Sequence, residues 1–340
     1  MDRFTYVRAG DVYTASRAVH GARSAEGEGT QSALYIAGGT NVTDYMTLGV
    51  LRPSVLVDIN RLSAPLYTRI ESDAQGLRLG ALVRMSQAED HPDVRTRYPV
   101  IRDTLLLAAS RQIRNMASLG GNVLQRTRCE YFRGSAWDCN KRTPGAGCAA
   151  LEGLNRQHAV LGTSGRCIAT YAGDLAQALI ALDATVSTVG GRSGNRTIRF
   201  ADLHRLPGET PHIETSLEPG ELITYIHVPA GPWTARSVYV KVRDRQSYQF
   251  ALASAAVALQ MEGNKVVEAR IALGGVATVP WRAREAEAVL KGAALDEATS
   301  AKAADAAFAD ARPRVHNSFK VVLGKQTLVR ALLEAQAMKV

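Results

Sequence analysis

The sequence predicts an α+β protein of at least two domains, and three observations carry that reading. The chain has 340 residues, more than one compact core usually holds. Its first part alternates short apolar strands with helices, whereas its last third runs strands first and helices afterwards, a change of layer architecture. Between the two lie Pro- and Gly-bearing stretches at 207–219 and 229–232, which read as a boundary.

In chain order, Leu34-Tyr35-Ile36 is a short apolar run ended by Gly38-Gly39, a strand entering a tight turn. Thr40 is placed to cap the helix that follows, with Asp44 in its first turn. Val55 to Ile59 reads as a buried strand, and Leu77 to Leu82 alternates as a half-exposed one. Ile101, Leu105 and Ala108 mark one face of a helix over 100–111. Periodicity then disappears from 124 to 165. It returns as a helix over 174–182 and strands near 184–189 and 197–200. Past the boundary, 237–242, 251–259 and 265–273 read as strands of one antiparallel sheet. Helices over 282–290, 297–309 and 319–338 complete the chain.

Composition excludes several classes. Apolar residues make up 46% and charged residues 21%, a globular balance that rules out a disordered chain or a coiled coil. No window approaches the roughly 18 apolar residues of a membrane-spanning helix. The opening residues hold neither an apolar run nor a twin arginine, so no export signal of the chain's own is expected. A net charge of +9 favours an acidic ligand without being diagnostic of nucleic acid.

Two glycine pairs carry candidate chemistry. Ala37-Gly38-Gly39-Thr40-Asn41 places two residues without Cβ between a strand and a helix, where backbone N–H groups can turn toward an anion. Ser118-Leu119-Gly120-Gly121-Asn122 has the same build about eighty residues later. Each alone reads equally as a plain turn; together they suit the two ends of a long dinucleotide. Neither matches Gly-x-Gly-x-x-Gly.

All four cysteines fall between Cys129 and Cys167, with nine, eight and eighteen residues between successive ones. Three readings stand on the residues alone. Zinc sites usually show paired C-x₂₋₄-C spacing, which is absent. Disulfides suit an exported chain. A four-thiolate iron–sulfur cluster tolerates irregular spacing and would organise a stretch of about 40 aperiodic residues that otherwise has no reason to fold. Arg126, Arg128, Arg133, Lys141 and Arg142 in the same stretch would offset a cluster's negative charge, or simply solvate a loop.

With Asp174 and the late Ala272-Leu273-Gly274-Gly275-Val276-Ala277, these motifs resemble the FAD-binding subunit of the molybdenum hydroxylases, the xanthine dehydrogenase family, across essentially the whole chain. The run from Leu124 to Arg133, continuing through Cys139, Cys148 and Cys167, resembles the FAD subunit of bacterial periplasmic aldehyde oxidoreductase, whose insert holds a [4Fe-4S] cluster. Lys241-Val242-Arg243-Asp244-Arg245 fits the same subunit.

The resemblance implies a vanillyl-alcohol-oxidase-type FAD fold in two lobes, about 1–60 and 61–230, with the cysteine insert at about 124–167. A C-terminal domain like that of CO-dehydrogenase flavoproteins follows at 231–340. It implies FAD held by Ile36, Ala37, Gly38, Gly39, Thr40, Asn41, Val42, Thr43 and Asp44 on one side. Ser118, Leu119, Gly120, Gly121 and Asn122 would line the other, with Asp174, Ile223 and Lys241 completing the pocket. Lys241 would be a cation near the flavin. Cys129, Cys139, Cys148 and Cys167 would each bind one iron.

The implied partners are a molybdopterin-binding large subunit, a [2Fe-2S] small subunit and an external electron acceptor, without nucleic acid or membrane insertion. Aldehyde oxidation in the large partner would feed electrons through the small one to FAD. Relatives of this type reach the periplasm on a partner's signal; otherwise the cytoplasm is expected. A self-sufficient flavin oxidase would instead need an acid or base here, for which Tyr248 and His212 are the candidates. A zinc-bearing nucleic-acid module is the second alternative, and it would be colourless.

Overall fold

The computed structural model describes residues 2–26, 32–62 and 65–340. Three sheets follow one another along the chain. Strands β1 (Thr5–Arg8), β2 (Ala33–Ile36) and β3 (Val55–Asp58) form a parallel sheet in the order β1-β3-β2. Parallel neighbours need a crossover, and the helix Val12–Glu26 supplies the one between β1 and β2. Leu56 and Val57 of the central strand are buried.

The second sheet joins β4 (Ile70–Ser72), β5 (Gly76–Gly80), β6 (Thr185–Gly191), β7 (Gly194–Arg199) and β8 (Leu222–Pro229) in the order β4-β5-β8-β6-β7, all antiparallel. Leu77 and Leu79 point inward and Arg78 outward, the alternation expected of a half-exposed strand. The helix Leu175–Ala181, all seven residues of which are buried, shares this sheet's core and lies against the strands Ala253–Glu262 and Lys265–Gly274.

The third sheet, β9 (Ser237–Val242), β10 (Ala253–Glu262), β11 (Lys265–Gly274) and β12 (Trp281–Arg282), is antiparallel in the order β12-β11-β10-β9. Its two faces serve two cores. Ala255, Val257 and Leu259 of β10 pack toward the helices Arg284–Leu290, Glu297–Ala307 and Phe319–Ala337, while Ala256 and Ala258 belong to the core of the second sheet. Burial on both faces explains the unbroken apolar run that the sequence shows there.

Three local expectations are corrected. The helix expected over 100–111 stops at Leu106; Ala109 takes φ +46, and a new helix, Arg111–Met116, starts where the Ser110 hydroxyl accepts the Ile113 N–H. Thr40 is exposed and does not cap; Asn41 holds the cap position and spends its side chain elsewhere. The aperiodic insert holds one short helix, Glu130–Arg133, and an isolated antiparallel bridge between Cys139 and Cys148. Its tail is tied to the C-terminal core: Val160 and Leu161 both donate to the Val276 carbonyl. The Ala272–Ala277 motif therefore works as a dock for the insert. No helix among the described residues is long and apolar enough to cross a membrane.

Candidate dinucleotide site and cysteine pocket

The first two sheets, the insert and the loop after β9 enclose a cavity of about 1070 Å³. That reaches the upper end of the roughly 300–1,000 Å³ usual for small-molecule sites, which suits a dinucleotide. Ile36, Ala37, Gly38, Gly39, Thr40, Asn41, Val42 and Asp44 line it, as do Ser118, Gly120, Gly121, Asn122, Asp174, Ile223 and Lys241. Two expected residues do not. The Leu119 side chain is wholly buried in the core, and Thr43 turns its hydroxyl onto the Gly39 carbonyl at 2.7 Å. Helical spacing points each away from the cavity.

The glycines work differently from the expectation. A Cβ on Gly38 would lie 1.8 Å from the Met116 carbonyl oxygen, and one on Gly120 would lie 3.0 Å from the Ala81 Cβ. Both therefore make room for the protein's own chain. Gly39 is needed for its backbone, at φ +72. At Gly121 only the Ser118 Oγ comes within 4 Å of such a Cβ.

Two buried side-chain oxygens on the cavity wall, Asn122 Oδ1 and Gln249 Oε1, have no hydrogen-bond partner among the described residues. Buried acceptors are rarely left unpaired, so this wall fits a polar ligand. Ala109 and Tyr248, both lining the cavity, hold φ of +46 and +55. Such backbone is strained for residues with a Cβ and collects at binding sites.

Asp174 holds the cap position of the helix Leu175–Ala181, but its side chain makes no capping bond. Its carboxylate accepts from the Tyr239 hydroxyl at 2.6 Å and from Lys241 Nζ at 2.8 Å. The Tyr239 hydroxyl is pushed well above its ordinary range, first by burial and then by the adjacent carboxylate. Lys241 is thus ion-paired, with a further bond to the Leu107 carbonyl, and it lines the cavity.

Sequence reasoning missed the insert's share of this wall. Arg126, Arg128 and Arg133 line the cavity, with Phe250 from the loop after β9. Arg133 forks onto Asp44 at 2.6 and 3.1 Å, and its hydrogen bonds hold the Asp44 carboxyl below the usual range against the opposing effect of burial. Tyr45 packs edge-on against Phe132, with ring centroids 5.6 Å apart. The only clue in the sequence was the density of arginines beside Cys129.

Behind that wall, Cys129, Cys139, Cys148 and Cys167 all line one small pocket with Phe132 and Asn140. None is in a disulfide. Among the described residues no group of three or more His, Cys, Asp or Glu is drawn together as a metal site. Burial, with Cys139 and Cys167 nearby, pushes the Cys129 thiol up to about 12, and burial raises Cys167 to about 11. Thiolates here need a positive partner, as a metal group supplies.

His158, to which the sequence assigned no role, sits with Nε2 3.1 Å from Cys129 Sγ. Burial first and Lys320 second depress its ring to about 4. His212 is exposed and outside the cavity, whereas Tyr248 lines it.

The fold is similar to that of carbon monoxide dehydrogenase from Hydrogenophaga pseudoflava, with TM-score 0.75 and 26% identity over 99% of this chain and 98% of that one. The family "FAD binding domain in molybdopterin dehydrogenase" matches residues 2–231, and "CO dehydrogenase flavoprotein C-terminal domain" matches 238–335. The chain belongs to the FAD-binding subunits of the molybdopterin dehydrogenases. Among these flavoprotein subunits it is 46% identical to the aldehyde oxidoreductase FAD-binding subunit PaoB of Escherichia coli, covering 99% of each chain. It is 27% identical to the glyceraldehyde dehydrogenase medium chain of Sulfolobus acidocaldarius, over 86% of this chain and 83% of that protein. Like other members of the molybdenum hydroxylase class, this FAD-binding chain is a subunit of an oxidoreductase.

Proposed function

We propose that the chain is the FAD- and [4Fe-4S]-carrying electron-transfer subunit of a heterotrimeric, molybdenum-dependent aldehyde oxidoreductase. A molybdopterin-binding large subunit and a [2Fe-2S] small subunit would be its partners, and an external acceptor would take the electrons. The observation that carries the reading is the placement of four free thiols on one pocket directly behind the wall of the large cavity. Similarity to an aldehyde oxidoreductase subunit along the full chain supports the substrate class.

When bound, FAD supplies two-electron and one-electron chemistry in one group, and the protein supplies position and electrostatics. Asn122 and Gln249 offer unpaired acceptors to a ligand's donors. Of the three protons on Lys241 Nζ, one goes to Asp174 and one to the Leu107 carbonyl, which leaves one for a ligand acceptor. The strained turn at Tyr248 presents its ring and that of Phe250 to the cavity mouth. Cys129, Cys139, Cys148 and Cys167 would hold the cluster, and the ionic fork between Arg133 and Asp44 ties their loop to the cavity wall.

The test is an anaerobic purification with metal and flavin counts and a visible spectrum. One flavin and about four irons per chain are expected, with flavin bands over a broad brown shoulder. Flavin without iron removes the cluster; absence of both removes the whole reading.

A further inference from the structure

The three insert arginines on the cavity wall differ in how their charge is met. Arg126 pairs with Glu214 at 2.7 Å and Arg133 with Asp44 at 2.6 Å. Among the described residues Arg128 forms no ion pair; the Asp44 carboxylate that Arg133 holds feels its charge only at longer range. Arg128 Nη1 donates to Asn41 Oδ1 at 3.0 Å, to the Tyr45 hydroxyl at 2.6 Å and to the Arg126 carbonyl at 3.0 Å, all of them neutral. Its guanidinium lies over the rings of Tyr45 and Phe250, 5.4 and 5.1 Å from their centroids.

The remaining charges on the wall are largely spoken for: Asp174 pairs with Lys241, and Glu221 with Arg196. Glu130 lines the cavity without an ion pair but is exposed to solvent. A half-buried guanidinium that faces a cavity without an ion pair of its own favours an anion coming to it. Asn41, which holds it, belongs to the Ala37–Asn41 turn. We propose that Arg128 is an ionic clamp on the diphosphate of the bound dinucleotide, supplied by the cysteine-bearing insert rather than by the glycine turns. This rests on the flavin reading above. A planar fork of donors matches phosphate oxygens in a way that a lone amide cannot. Because Cys129 follows Arg128 directly, the order of the insert also sets how firmly the dinucleotide is held.

The experiment titrates the deflavinated full chain with FAD and, separately, with riboflavin, which has no phosphate, at low and high salt. Arg128→Gln is expected to weaken FAD by about tenfold or more. It should leave riboflavin unchanged and flatten the salt dependence of FAD affinity. Arg128→Lys keeps the charge and loses the fork, so it should fall between the two, and it carries the test if the glutamine variant fails to fold. FAD affinity within about twofold of the parent in both variants overturns the proposal. Equal loss of FAD and riboflavin also overturns it, by showing a loosened cavity instead. A parent chain that binds neither ligand sinks the flavin reading itself.

Discussion

Replacing Asp174 by Asn isolates one charge at the junction of the two cores. The substitution keeps the side chain's size and one carbonyl oxygen, so the Tyr239 hydroxyl still has an acceptor. What it removes is the countercharge of Lys241, whose side chain is 1% exposed, next to an Asp174 side chain that is 6% exposed. An ammonium so little exposed meets no solvent beyond the cavity, and breaking such a pair from one side costs about 3–5 kcal/mol. Against a total stability of about 5–15 kcal/mol, that is a large fraction. Urea unfolding followed by tryptophan fluorescence should show the midpoint falling with the slope unchanged. The double variant Asp174→Asn, Lys241→Met removes both charges and should be less damaged than Asp174→Asn alone. A single variant within about 1 kcal/mol of the parent, or a double variant whose loss is the sum of the two, would refute the claim that this is a desolvated ion pair.

Three other outcomes are expected. His204 donates its Nε2 proton to the Val123 carbonyl at 2.9 Å, and burial lowers its ring from 6.5 to about 4. The folded state therefore prefers it neutral, so its contribution is complete above about pH 6.5 and is lost as pH falls toward 4, to a total of about 3 kcal/mol. His204→Gln should flatten melting temperature against pH in that window, and an unchanged slope would count against it. Gly38→Ala drives a methyl into the Met116 carbonyl and should cost about 1–3 kcal/mol together with flavin occupancy. Gly121→Ala meets only a hydroxyl and should melt like the parent, so equal damage in the two variants would contradict the packing argument. Cys148→Ser should lower bound iron and bleach the brown shoulder; a full iron count would remove Cys148 from the ligand set.

Legibility in the sequence followed the range of the interactions involved. The strands of the third sheet, the long C-terminal helix and the buried run of β3 were readable because each announces itself within one segment, by an apolar run or by periodic spacing. The helix boundary at Ala109 was not readable, because Ile101, Leu105 and Ala108 keep helical spacing across a turn that only the backbone reveals. The two glycine pairs were visible as motifs, but their reason was not. Gly38 answers to Met116, nearly eighty positions away.

The sequence by itself determined the family, the order of the layers, the glycine turns and the confinement of all four thiols to one insert, since these depend on residue type and local spacing. The tertiary structure alone decided that Lys241 meets Asp174, that Arg126 and Arg133 form ion pairs while Arg128 forms none among the described residues, and that the insert forms a wall of the large cavity. Those pairings join residues 67 to 89 positions apart. Charge compensation depends on distance and burial, neither of which is written in the order of residues.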